Sequence, residues 1–266
     1  MSPSSNGSEP DSRAVLVTGG TRGIGAVIAA RFAADGARVL VCGRQRPAAL
    51  PGGIGFHAAD VREPDQAAEL VAEAVRRFGR LDVVVNNAGG SPVVPADSAS
   101  PRLVTSIVRL NLLAPFFVAQ AANAVMREQP GGGHIVNIGS VAALRPAPGT
   151  AAYAAAKAGL EALTRALAVE WAPRVRVNGV IVGLVRTAQN AEHYGDEGAL
   201  RAVDGTIPLG RMATPDDVAD ACLLLTSPLA SYLNGAQITV DGGGELPAFY
   251  LATRGSDAGA GADQPA

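Results

Sequence analysis

Six short apolar runs recur along the chain, and none of them alternates strictly with polar residues: AVLVT at 14–18, RVLVC at 38–42, LDVVVN from 81, HIVNI from 134, RVRVNGVI from 174 and QITV from 237. A strand with one face in water alternates with period two. A continuous apolar strand is covered on both faces, as in a parallel sheet with helices on each side. Longer Ala/Leu-rich segments of helical period separate the runs, the first ending near Asp35. The pattern predicts an α/β fold: one doubly wound domain over residues 13–252, with a parallel sheet of about seven strands and helices on both faces. Residues 1–12 and 253–266 are small, polar and rich in Pro or Gly. They are expected to be disordered tails.

Composition excludes more than it selects. The 266 residues are 48% apolar, enough for a large core, and the net charge of −2 includes no block of like charges. That gives no footprint for nucleic acid or an anionic membrane. No apolar run reads as a membrane span or signal peptide, so a cytoplasmic protein is expected. Cys42 and Cys222 lie in apolar stretches and read as reduced core residues, and the isolated His57, His134 and His193 give no metal-ligand spacing, so no metal is expected. The basic residues are 21 arginines and one lysine, Lys157. A position that keeps Lys against such a bias is a candidate for needing a compact ammonium.

The first strand runs into Thr18-Gly19-Gly20-Thr21-Arg22-Gly23-Ile24-Gly25 and then a helix. Glycines at the first β-to-α crossover let the backbone turn tightly and approach a pyrophosphate, whose charge the helix N-terminus meets. No Lys-Ser/Thr pair follows, so this is not a P-loop. At the end of the second strand, where NAD sites carry an acid for the ribose 2′-hydroxyl, stands Gly43, followed by Arg44 with Arg46 nearby and Arg22 inside the turn. Guanidiniums without a carboxylate suit a 2′-phosphate, which favours NADP over NAD.

Tyr153 and Lys157 are spaced i, i+4 in AAYAAAKAGLEALTRALAVEW, a strong helix former that sets both on one face. Ser140 ends the strand HIVNIGS thirteen residues upstream. A phenol beside an ammonium is an acid/base device: the cation is expected to lower the tyrosine pKa toward working pH.

With these motifs the chain resembles the short-chain dehydrogenase/reductase family in its common form of about 250 residues. The resemblance covers about residues 13–250 and rests on TGGTRGIG at 18–25, Asp60-Val61, Asn86-Asn87-Ala88-Gly89, Asn111, Ser140, Tyr153 to Lys157, Val185 to Thr187 and Asp241-Gly242-Gly243. It implies a Rossmann-type fold and a nicotinamide cofactor held by Gly19, Thr21, Arg22, Gly23, Ile24, Gly25, Arg44, Asp60, Val61, Asn87, Ala88, Gly89, Tyr153, Lys157, Val185 and Thr187. Asp60 would accept from the adenine amino group. Ser140 would hold the substrate oxygen, Tyr153 would give or take the proton, Lys157 would bond the ribose hydroxyls, and Asn111 would fix a water linking Lys157 to solvent. Taken alone, Asp60 is equally a helix N-cap and Asn111 a residue that satisfies its own helix.

The resemblance further implies a substrate lid at 188–210, with Thr150 and His193 as candidate substrate contacts, and a homo-oligomer, tetramer or dimer, joined through helices at about 100–127 and 151–171. One departure concerns the lid: the family's Pro-Gly after the sixth strand is Val182-Gly183 here. The segments expected to bound the pocket, GSPVV at 90–94, VAAL at 141–144 and PAPGT at 146–150, are small and nearly uncharged. The expected function is therefore NADP(H)-dependent interconversion of a ketone and a secondary alcohol, running as a reductase of a hydrophobic small molecule: 3-oxoacyl, polyketide-like, steroid-like or a quinone. The competing reading is a non-catalytic NADP(H)-binding sensor or structural protein.

Overall fold

The computed structural model describes residues 12–145, 147–187 and 196–250. Seven strands form one parallel sheet: β1 (Ala14–Thr18), β2 (Arg38–Gly43), β3 (Gly55–Ala58), β4 (Val83–Asn86), β5 (Gly133–Ile138), β6 (Val175–Val182) and β7 (Gln237–Val240). Their spatial order is β3-β2-β1-β4-β5-β6-β7. The register runs Val15 beside Val39 on one side of β1 and beside Val83 on the other. The chain leaves β1 toward β3 and returns through β4, so the direction of winding reverses between β1 and β4, where α/β sheets open a crevice at the carboxyl ends of their strands.

Both faces of the sheet are covered, as the unbroken apolar runs require. Leu16, Leu40, Val84, Ile135 and Val177 point into one core, with Ala67, Leu70 and Ala74 of α2 (Pro64–Phe78), Val118 and Ala122 of α4 (Ala114–Met126), and Leu167 of α5 (Ala151–Trp171). Val15, Val17, Val39, Val41, Val85, Val136 and Val180 point the other way, onto Ile28 and Phe32 of α1 (Gly23–Ala34) and Val218, Cys222 and Leu225 of a late helix, Pro215–Thr226. Among the described residues two shorter helices complete the numbering: α3 (Pro101–Val108), and α6 (Glu197–Asp204), which makes the late helix α7.

The one strand absent from the six apolar runs is β3. It is a short edge strand of sequence GFHA with no fully buried residue. An edge strand covered on one side only needs no continuous apolar run, which removes the signal by which the others are read. Val182 has a simple consequence: with no proline there, β6 continues to pair with β7 through Val182 beside Val240, and the Val182 side chain is buried in the core. Pro101–Met126 is long and apolar enough, by length and composition alone, to cross a membrane. This corrects the expectation that no such segment exists; in the fold, Val118, Ala119, Ala122 and Met126 of that segment pack against the sheet.

Arginines fasten the helix ends. Arg13 Nη1 donates to the Thr226 carbonyl at 3.2 Å and Arg176 Nη2 to the Leu225 carbonyl at 3.2 Å, meeting carbonyls that the end of α7 leaves unpaired. At its other end α7 has a capping box, Thr214 with Asp217, whose carboxylate also accepts from Arg211 at 2.8 Å. These bonds hold the Asp217 carboxyl far below the usual carboxylate range.

Candidate active site

Closure of the crevice begins with Thr18. Its Oγ1 accepts from the backbone amides of Asn87 and Ala88, both at 3.0 Å, and so ties the end of β1 to the segment after β4. Asn87 returns the contact: its Nδ2 donates to the Thr18 carbonyl at 3.0 Å and to that of Gly19 at 3.3 Å. This explains two of the glycines. Gly19 has φ of +62°, and a Cβ there would stand 3.0 Å from Ala88 Cα. A Cβ on Gly25 would lie 2.3 Å from Asn87 Nδ2 and 2.5 Å from the Gly19 carbonyl oxygen. At these two positions the small residue is demanded by the junction of β1 and β4 as well as by any phosphate. Gly23 has φ of +53°, and with it α1 starts without a side-chain cap, so its first amides are left for an anion.

At the carboxyl end of β2, Gly43 abuts Thr21: a Cβ would lie 3.0 Å from Thr21 Cγ2. Arg44 is exposed and lies close enough to Asp60 to lower its pKa, whereas Arg46 stacks over the Phe56 ring at 5.6 Å. Asp60 is not a helix N-cap; that place is taken by Glu63. Its carboxylate accepts from Arg62 Nε at 2.9 Å and Nη2 at 2.5 Å, and this pairing holds it below its ordinary pKa. Sequence spacing alone does not mark the Arg62 guanidinium as the partner of Asp60. Val61 is buried in the core beneath.

Asn111 sits in a π-helical turn, Arg109–Leu113, between α3 and α4. It is fully buried. Its Nδ2 donates to the Gly90 and Ile107 carbonyls, both at 2.9 Å, and its Oδ1 accepts from the Gly90 amide at 2.9 Å. Both readings of this residue thus hold something: it satisfies its own irregular helix, and it clamps the backbone just past Gly89. A Cβ on Gly89 would meet Asn111 Oδ1 at 2.9 Å and Lys157 Nζ at 3.3 Å, so three separated motifs converge at this point.

Ser140 follows β5, and its Oγ accepts from the Ala142 amide at 3.2 Å. Tyr153, in the first turn of α5, is within hydrogen-bonding reach of Ser140, which lowers its pKa, but burial acts more strongly and the net shift is upward. Lys157 is buried, and its Nζ donates to the Ile138 carbonyl at 2.7 Å. It lies 5.7 Å from the centre of the Tyr153 ring. Burial lowers the lysine to about 8. The expectation that Lys157 lowers the tyrosine pKa is therefore corrected for this arrangement: the ammonium is spent on a carbonyl, and desolvation of the phenol prevails.

Tyr153 also lines a cavity of about 210 Å³, walled by Pro92, Val94, Leu103, Val104, Ile107 and Thr150 among others. This agrees with the expected boundary at 90–94 and 149–150 and extends it to α3. On the far side, Val185 is buried and bridges to Ala213, and Thr187 is half-buried. The first part of the expected lid, including His193 and Tyr194, lies outside the described residues, as do Pro146 and most of both tails. The later part is anchored: Arg186 bonds Asp204 at 2.7 Å, and the Asp204 carboxylate accepts from the Met212 amide at 2.8 Å.

Residues 19–245 match the family described as "Enoyl-(Acyl carrier protein) reductase". A protein of Bacillus subtilis (strain 168) named "Probable 2,4-dienoyl-CoA reductase" is 36% identical over 245 residues, covering 88% of this chain and 96% of that one. The 3beta-hydroxysteroid dehydrogenase 1 of Eggerthella lenta is 36% identical over 251 residues, covering 90% and 96%. Among solved structures, a short-chain dehydrogenase/reductase from Brucella melitensis, titled glucose/ribitol dehydrogenase, superposes with a TM-score of 0.81 at 32% identity, over 87% of this chain and 96% of that one. Likeness of this extent, in sequence and in fold, places the chain in the short-chain dehydrogenase/reductase family: it is an oxidoreductase that acts on alcohol or ketone groups with a nicotinamide nucleotide.

Proposed function

We propose that the protein is an NADP(H)-dependent reductase of hydrophobic ketones, and that Tyr153 delivers the proton. The observation that carries the substrate class is the cavity beside Tyr153, whose walls are apolar except for Ser91, Thr150 and the tyrosine itself. Such a wall takes a hydrocarbon body without leaving polar groups unpaired, and rejects a sugar, whose hydroxyls would be buried there without partners.

The residues fit a dinucleotide. The uncapped start of α1 and the open backbone of Gly19 and Gly23 suit a diphosphate, and Asp60 stands at the adenine end. Arg44 and Arg22 are both exposed at the mouth of the site, whereas Arg46 is held on Phe56. Thr21 packs where a side chain at position 43 would go, so an acid that selects NAD has no room without a shift of Thr21. These features favour NADP(H) over NAD(H).

When bound, the nicotinamide supplies or accepts the hydride. The protein's own part is acid/base and positional. Ser140 donates a hydrogen bond to the substrate oxygen, and Tyr153 Oη gives it a proton as charge develops on that oxygen. Lys157, turned from the Ile138 carbonyl toward the phenol and the cofactor ribose, stabilises the phenolate that results. Asn111 holds the Gly90 backbone that bounds this space. The protein is read as working in the cytoplasm, as a tetramer or dimer joined through α3–α4 and α5.

A panel of ketones and 2-enoyl thioesters, followed by loss of reduced-nicotinamide absorbance with NADPH and NADH in parallel, tests the reading. Turnover of apolar ketones with NADPH preferred supports it. Preference for NADH overturns the cofactor assignment, and turnover of enoyl thioesters alone overturns the ketone assignment.

A further inference from the structure

Strand β5 meets helix α5 through polar groups at two adjacent residues. The Ile138 carbonyl accepts from Lys157, and one residue earlier Asn137 Nδ2 donates to Thr164 Oγ1 at 2.9 Å. Thr164 follows Lys157 by seven residues, two helical turns, so the two side chains share a face of α5. Asn137 is 2% exposed and Thr164 1%; Leu167 and Ala168 of α5 add buried apolar contact, and at the edge strand Gln237 Nε2 of β7 reaches the Glu161 carbonyl of α5 at 3.4 Å.

The bond belongs to a longer run. The Thr164 hydroxyl donates onward to the Leu160 carbonyl at 2.7 Å. Asn137 Oδ1 accepts from Asn86 Nδ2 at 2.9 Å, and Asn86 Nδ2 also reaches the Pro115 carbonyl at 3.2 Å. Asn86 ends β4 directly before Asn87, whose amide and side chain close the crevice onto β1. Ser140 stands three residues past Asn137.

Apolar contact between a helix and a sheet is non-directional and tolerates sliding. A buried hydrogen bond does not, because displacement strands a desolvated donor and acceptor without partners. Residues 137 and 164 therefore act as a pin between the strand that carries Ser140 and the helix that carries Tyr153 and Lys157. A displacement of about 1 Å in such a set can cost 10²-fold in rate.

We propose that Asn137 and Thr164 are positioning residues that set the register of α5 on β5, and so hold Tyr153 and Lys157 at their working distance from Ser140. The proposal rests on the reading that those three residues carry the reaction. Thr164→Val is near-isosteric and removes only the hydroxyl; Thr164→Ser keeps the hydroxyl and removes a methyl group. With a ketone substrate and NADPH, Thr164→Val should lose about tenfold in kcat with KM changed less than about twofold, and its pH–rate limb should move upward as Lys157 loses its hold near the phenol. Thr164→Ser should recover most of kcat. Thr164→Ala and Asn137→Ala serve in the same way if Thr164→Val does not fold. A lower melting temperature with kcat and pH profile unchanged would overturn the proposal and leave a purely structural bond. Tyr153→Phe, run alongside, separates the two levels: full turnover there defeats the catalytic reading itself, whereas its loss beside an unaffected Thr164→Val defeats this proposal alone.

Discussion

Lys157 Nζ lies 2.7 Å from the Ile138 carbonyl oxygen and 5.7 Å from the centre of the Tyr153 ring, so the only lysine of the chain is a buried ammonium held by one strand carbonyl beside a phenol. A guanidinium is planar and larger and holds its donors in a fixed fork, so it does not reproduce the compact ammonium that bonds the Ile138 carbonyl. Lys157→Arg should fold and lose at least about 100-fold in kcat/KM, equivalent to about 2.7 kcal/mol of transition-state stabilisation. Steady-state kinetics, with circular dichroism as the folding control, checks it.

The same burial makes stability depend on pH. Lys157 titrates at about 8 when folded against 10.5 unfolded, so between these values the unfolded chain binds more protons and stability rises with pH. Relative to Lys157→Met, the cofactor-free wild type should gain stability on the order of 3 kcal/mol from pH 8 to 10.5. Denaturant titrations of both proteins across that window measure the difference.

At the start of the inner strand β5, away from the carboxyl ends of the strands, His134 is lowered to about 4, chiefly by burial and then by Arg176 and Arg13. Its unfolded value is 6.5, so the stability its neutral ring contributes is complete above 6.5 and is lost as pH falls toward 4. His134→Gln should flatten this acid limb by about 3 kcal/mol, read from unfolding free energies at several pH values.

Asn111 is itself fully buried and makes three hydrogen bonds, one to the Ile107 carbonyl within its own helix and two to the backbone of the exposed Gly90. Asn111→Leu should cost about 2–4 kcal/mol of stability, with more than a tenfold loss of turnover as the Gly90 segment loosens. A variant that keeps both stability and turnover contradicts the clamp.

Much of this molecule is legible before its coordinates are. Strands β1, β2, β4, β5 and β6 announce themselves because strands covered on both faces must be apolar throughout. The bounds of QITV at 237–240 and of the helix at 151–171 agree to the residue, although β7 is an edge strand with no fully buried residue. Edge strand β3 is silent because one face is uncovered. The shared placement of Tyr153 and Lys157 is readable from spacing, since i, i+4 on a helix fixes both on one face. What spacing does not carry is competition between partners. Nothing in the sequence says that Lys157 turns to a carbonyl, that Arg62 occupies Asp60, or that Gly25 is small because Asn87 fills its place. The π-helical turn at Asn111 is likewise invisible, because α and π segments share one apolar pattern.

The central claim is that Tyr153 transfers the proton in a nicotinamide-dependent reduction of a ketone. Tyr153→Phe keeps the ring, its packing and the cavity wall while removing the single group asked to do the chemistry. Single-turnover reduction of an apolar ketone by the NADPH complex, in wild type and Tyr153→Phe, measures this most directly. A fall of at least about 10²-fold in the rate with nucleotide affinity unchanged is the predicted result, within the range expected for loss of a general acid. An undiminished rate in Tyr153→Phe would contradict the account.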